Sequence, residues 1–72
     1  MPRKIRELKA ELLRAGFSWL PAKGSHTRWS HPDAPDVRLT LSGHDGDDAQ
    51  PYEERDVRRV LQKVQETKDR QA

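Results

Sequence analysis

The chain has 72 residues, 36% of them charged and 32% hydrophobic, with a formal net charge of +2 and no cysteine. That length allows one small domain burying about 60% of the surface its unfolded chain exposes, and without cysteine neither a disulfide framework nor a thiolate metal site can supplement the core. The start, Met1-Pro2-Arg3-Lys4, leads into a charged stretch rather than a long apolar run, so neither a signal peptide nor a membrane span is expected and the cytoplasm is the default location.

Residues 3–15 read as an amphipathic helix: Ile5, Leu8 and Leu12 fall at i, i+3 and i+7, Ala15 extends the stripe, and charged residues fill the rest of the circumference. Gly16 is a natural stop. Phe17-Ser18-Trp19-Leu20 reads as a first strand, with Phe17 and Trp19 facing the core. Pro21 to Ser25 make a turn, and His26 to Ser30 form a second strand ended by His31-Pro32. Asp33-Ala34-Pro35-Asp36 is a short loop. The third strand, Val37 to Ser42, alternates cleanly, with Val37, Leu39 and Leu41 inward and Arg38, Thr40 and Ser42 outward.

Gly43 to Pro51 is a loop by composition. A second amphipathic helix carries Val57, Val60, Leu61 and Val64, starting near Tyr52 just after Pro51 or at Asp56 as N-cap. From Glu66 onward only Ala72 is apolar, so residues 66–72 are expected to fray. No repeat or linker divides the chain, so residues 1–72 are expected to form one domain.

The order is helix, three strands, helix, an α+β chain. Short connections imply an antiparallel meander, and one apolar stripe on each helix places both helices on one face of the sheet. This α-β-β-β-α order is that of double-stranded-RNA-binding domains. The open face is expected to carry Ser18, Leu20, His26, Arg28, Arg38 and Thr40.

Charge is unevenly spread. Residues 1–30 hold seven basic side chains against two acidic, a net +5; residues 31–54 hold one against seven, a net −6; residues 55–72 hold six against three, a net +3. Cationic ends suit a phosphate backbone or a solvated helix face alike. The acidic middle does not suit RNA, so it must point away from RNA or meet a cationic partner.

Within Lys23-Gly24-Ser25-His26-Thr27-Arg28-Trp29, strand alternation puts His26 and Arg28 on the solvent face if Trp29 faces the core. A proton-exchanging group beside a fixed positive charge is what phosphodiester chemistry needs. Seven residues alone favour the plainer reading, a polar residue on the outer side of a sheet.

The sequence from about Ile5 to Val64 resembles the HicA family of toxins from prokaryotic type II toxin–antitoxin systems. The resemblance is carried by Gly16-Phe17 after a first helix, Lys23-Gly24-Ser25-His26, the aromatic Trp29, His31-Pro32, and the closing helix with Asp56-Val57-Arg58-Arg59-Val60-Leu61. It implies a ribonuclease (mRNA interferase) that cuts mRNA and arrests translation until neutralised by a HicB-type antitoxin, which covers the active face and often binds operator DNA itself. It makes His26 the catalytic residue and calls for no metal or other cofactor, no membrane and no direct DNA binding by this chain. Two departures stand out. Thr27 replaces a second histidine common in the family, on the inward face. The loop after the third strand, usually rich in proline and lysine, holds three aspartates between Gly43 and Asp48, and His44 matches the family weakly there.

RNA supplies its own nucleophile, the 2′-hydroxyl. His26 as general base is worth about 10²–10⁴-fold, with Arg28 and Lys23 stabilising phosphoryl charge and Ser25 placed to orient the imidazole or bond a phosphate. No residue has a clear claim as general acid. His31 reads as a strand-ending residue, His44 as a loop residue, and Trp29 and Trp19 as core. The rival readings are a non-catalytic RNA-binding module of the same fold and a small protein-interaction subunit.

Overall fold

A computed structural model describes residues 2–71; Met1 and Ala72, the latter part of the expected frayed tail, lie outside the described residues. Helix α1 spans Ile5–Arg14 and buries Ile5, Leu8 and Leu12, the predicted stripe. Its end is a Schellman motif: Phe17 N–H donates to the Leu12 carbonyl at 3.0 Å, Gly16 N–H to the Leu13 carbonyl at 3.0 Å, and Gly16 takes a φ of +95°. Phe17 is buried with Leu12, the apolar contact this motif favours, so the chain turns toward the sheet already packed.

Three antiparallel strands follow in the order β1 (Ser18–Pro21), β2 (Thr27–His31), β3 (Ala34–Leu41). Thr27, Trp29 and His31 point inward from β2, and Val37, Leu39 and Leu41 from β3, while Arg28, Ser30, Arg38 and Thr40 are exposed on the other face. The indole N–H of Trp29 donates to Thr27 Oγ1 at 2.8 Å, which satisfies a buried donor two residues away on the same face.

Helix α2 runs Pro51–Gln71, with Pro51 in the first helical position and Gln50 before it, the earlier of the two expected starts. Val57, Val60 and Val64 are buried and Leu61 partly so, and the helix packs against β3 and α1. One buried cluster joins the stripes of both helices to Phe17, Trp29, Leu39 and Leu41, so both helices cover the same face of the sheet.

Several local expectations need correction. Pro21 belongs to β1, opposite Thr27, rather than to the turn, and Ala34 and Pro35 begin β3 rather than forming a loop. A two-residue turn, Pro32-Asp33, joins His31 to its partner Ala34; the register then shifts, since Ser30 pairs with Arg38, leaving residues 35–37 as a bulge. A bulge and an edge strand are the two places where a ladder tolerates a proline. Trp19 faces the same side as its partner Trp29, their rings stacked 6.1 Å apart, but it is not core: it remains 48% exposed. Every side chain of the edge strand β1 is exposed. The stretch from Glu66 to Gln71 is helical.

Candidate active site

His26 sits just ahead of β2, in the β-turn Lys23–His26, not within the strand. Its N–H closes the turn onto the Lys23 carbonyl at 3.2 Å, and Gly24 supplies the φ of +64° the turn requires. The same carbonyl accepts a second bond, from His26 Nδ1 at 2.8 Å. A carbonyl only accepts, so the ring proton of neutral His26 lies on Nδ1 and the lone pair on Nε2. The imidazole is exposed, and among the described residues nothing hydrogen-bonds Nε2.

The loop between β3 and α2 lies against this turn. Gly43 N–H donates to Ser25 Oγ at 3.1 Å, a bond between residues eighteen apart in sequence. The loop is also tied to the start of α1: Ile5 N–H donates to the Asp47 carbonyl at 2.9 Å, Arg6 N–H to the Asp45 carbonyl at 3.1 Å, and Ala49 N–H to the Arg3 carbonyl at 2.7 Å. The first two satisfy two of the four amide groups a helix start leaves open. Lys4 Nζ meets Asp48 Oδ1 at 2.5 Å and Lys9 Nζ meets Asp45 Oδ1 at 2.7 Å. The hydrogen bond and charge of Lys9 hold the Asp45 carboxyl below its ordinary value, with Arg6 and His44 adding to the effect. The cationic partner of the acidic loop is therefore the chain's own first helix.

Turn, loop and helix enclose an open hollow of about 370 Å³, lined by Ser25, His26, Lys9, His44 and Asp45 with Gly24, Gly43, Pro21 and Thr27. Of the residues singled out in the sequence, Gly24, Ser25 and His26 come together here. Lys23 contributes its carbonyl, and Ser25 is engaged with the loop rather than with the imidazole. Arg28 and Arg38 do not line this hollow; they line a broader groove on the open face of the sheet with Leu20, Ser30 and Thr40.

Two buried polar residues complete the surroundings. His31 is 4% exposed; its Nδ1 accepts from Asp33 N–H at 3.1 Å, so Nε2–H donates to the Ala15 carbonyl at 2.9 Å, and its ring meets Phe17 edge-on. Glu53 is 2% exposed, its Oε1 accepting from Gln50 N–H at 2.9 Å and its Oε2 from Ser42 N–H at 3.1 Å. Nothing beside His31 in the sequence hints at its partners, but a Glu three residues after Gln50 is the usual helix-start spacing and was legible. Lys9 had no such signal, being one charged residue among several on α1. Among the described residues no three histidine, aspartate or glutamate side chains are grouped to hold a metal ion.

A family model described as HicA toxin of bacterial toxin-antitoxin matches residues 5–65. The chain matches no curated protein and no solved structure.

Proposed function

We propose that this chain, which belongs to the HicA toxin family of bacterial toxin–antitoxin systems, is an endoribonuclease that cleaves mRNA without a metal ion, with His26 as general base. Membership implies a cognate antitoxin; a HicB-type protein that covers the hollow and the open sheet face is the partner this reading expects. Among the described residues no helix is long and apolar enough to cross a membrane.

The observation that carries the reading is the bond from His26 Nδ1 to the Lys23 carbonyl. It orients the ring and leaves Nε2, on an exposed side chain at the edge of a hollow, as the proton acceptor. In the proposed reaction Nε2 takes the proton of a ribose 2′-hydroxyl, the oxygen attacks the adjacent phosphorus, and the bond to the 5′-oxygen breaks. The product is a 2′,3′-cyclic phosphate or its hydrolysed form. Lys9 is the cation lining the hollow and stabilises charge on the phosphoryl oxygens once RNA displaces Asp45 from it. Arg28 and Arg38 hold phosphates further along the strand, in the open-face groove.

That separation of the arginines from His26 also favours a second reading, a non-catalytic RNA-binding module that uses the groove alone. Cleavage of labelled RNA by purified protein in EDTA, beside His26→Ala, decides between them. The ribonuclease reading expects cutting that survives EDTA and is lost in the variant. No cutting by either protein, with salt-sensitive RNA binding kept in both, selects the binding module.

A further inference from the structure

We propose that His44 is the second catalytic histidine of this site, the acid that protonates the leaving 5′-oxygen while His26 takes the 2′-hydroxyl proton. The assignment rests on the proposed ribonuclease function and completes its proton inventory. In-line attack on phosphorus breaks the P–O5′ bond with both electrons going to the oxygen, and an alkoxide leaves slowly unless a proton reaches it as the bond breaks. A single base therefore performs half of the reaction, and the other half needs a donor across the same phosphate.

The fold places such a residue there. His26 follows Ser25, His44 follows Gly43, and Ser25 and Gly43 are the pair joined by the Oγ–amide bond at 3.1 Å. One hydrogen bond therefore pins the residue before each histidine to the residue before the other, and both histidines line the same hollow. They arrive on separate segments, a turn and a loop, as groups that must act on two sides of one phosphorus require. His44 is also firmly set. Its N–H donates to Asp47 Oδ2 at 2.9 Å, and its carbonyl accepts from Asp47 N–H at 2.9 Å. Gly43, at a φ of +110°, turns the chain immediately before it. Both backbone groups of His44 are thus engaged, whereas its exposed side chain has no hydrogen-bond partner among the described residues.

The other polar groups of the hollow are committed elsewhere. Asp45 is an exposed aspartate, ionised at neutral pH whether or not Lys9 is paired with it, and has no proton to give. Ser25 and Thr27 offer only alcohol protons, far less acidic than an imidazolium's, and their oxygens accept from Gly43 N–H and the Trp29 indole N–H. Lys9 suits electrostatic stabilisation better than proton transfer, since an ammonium gives up and regains its proton less readily near neutral pH than an imidazolium. At the end of the reaction His26 holds a proton and His44 has lost one, and exchange with water resets both.

The test uses two RNA substrates that share one bond cut by the wild-type protein, with the natural 5′-oxygen in one and a bridging 5′-sulfur in the other. Sulfur departs as a thiolate without a proton, so it bypasses the acid. His44→Gln is expected to slow the oxygen substrate by about 10²–10⁴-fold and to cut the sulfur substrate close to the wild-type rate. His26→Ala is expected to be slow on both. Circular dichroism of His44→Gln and of a second variant, His44→Asn, checks that the loop substitution leaves the fold intact. Wild-type cutting of the oxygen substrate by both His44 variants, or equal slowing on both substrates, overturns the assignment and leaves the ribonuclease reading standing. A wild-type protein that cuts no RNA at all overturns that reading, and the His44 assignment with it.

Discussion

Gly16 lies so close under His31 that a Cβ added to it would stand 3.0 Å from the imidazole Nε2. The same Nε2 bonds the carbonyl of Ala15, one residue earlier, so the end of α1 and the end of β2 are fitted against each other through a ring with no side chain beneath it. Gly16 and His31, two carriers of the family resemblance, are therefore parts of the fold.

Gly16→Ala is expected to destabilise the protein by about 1–3 kcal/mol, because alanine must adopt a φ of +95° and push the His31 ring off its acceptor. The urea midpoint reads the loss. A variant as stable as the wild type would show that the contact relaxes without penalty.

Glu53 is buried and pairs with no cation among the described residues; its side chain is held by amide donors from Ser42 and Gln50 at the start of α2. Glu53→Ala leaves those two amides without their acceptor and is expected to cost on the order of 1–3 kcal/mol. Glu53→Gln, which keeps one oxygen, should cost less. Chemical denaturation of the three proteins gives the order, and equal losses for the two variants would contradict it.

Asp45 gives the pH dependence. Its folded-state value lies below the unfolded one, chiefly through the hydrogen bond and charge of Lys9. The stability it contributes is therefore fully present above the unfolded value and is lost as pH falls through the folded value. Asp45→Asn is expected to flatten this part of the acid limb, with the effect small because the pair is exposed and weaker still in high salt. Denaturation midpoints from neutral to acidic pH would show identical slopes for both proteins if the pair contributes nothing.

Arg28 and Arg38 line the open-face groove and not the His26 hollow. Arg28→Ala and Arg38→Ala are expected to weaken RNA binding and to lower the slope of log affinity against log salt by about 0.7 each, the value for a single-strand phosphate contact. In cleavage assays the loss should fall on KM. A loss confined to kcat would instead place the arginines at the reacting phosphate.

Most of the architecture was legible from spacing. Ile5, Leu8 and Leu12, the alternation from Val37 to Leu41, and the valines of α2 each mark a buried face, because a helix or a half-covered strand can bury only one side. Prolines mislead at strand ends: Pro21 and Pro35 read as turn and loop residues, whereas an edge strand and a bulge hold them without losing a ladder bond. Alternation puts Trp19 on the correct face, but how far the helices extend over an edge strand is not encoded in it. The catalytic candidate His26 was legible through its motif. Lys9, His44 and Asp45 were not, because they reach the hollow through contacts between distant segments, such as Lys9 with Asp45, thirty-six residues apart.

The start of α1 takes its hydrogen-bond acceptors from Asp45 and Asp47, and Lys4 meets Asp48 across forty-four residues. During synthesis the first helix therefore emerges long before the residues that complete its start. Until the chain has been extended through Ala49, the hollow lacks His44, Asp45 and the loop that fixes them. A growing or prematurely released chain carries the turn with His26 but not the pocket around it. On the proposed ribonuclease reading, such a chain lacks the hollow in which RNA would be cut.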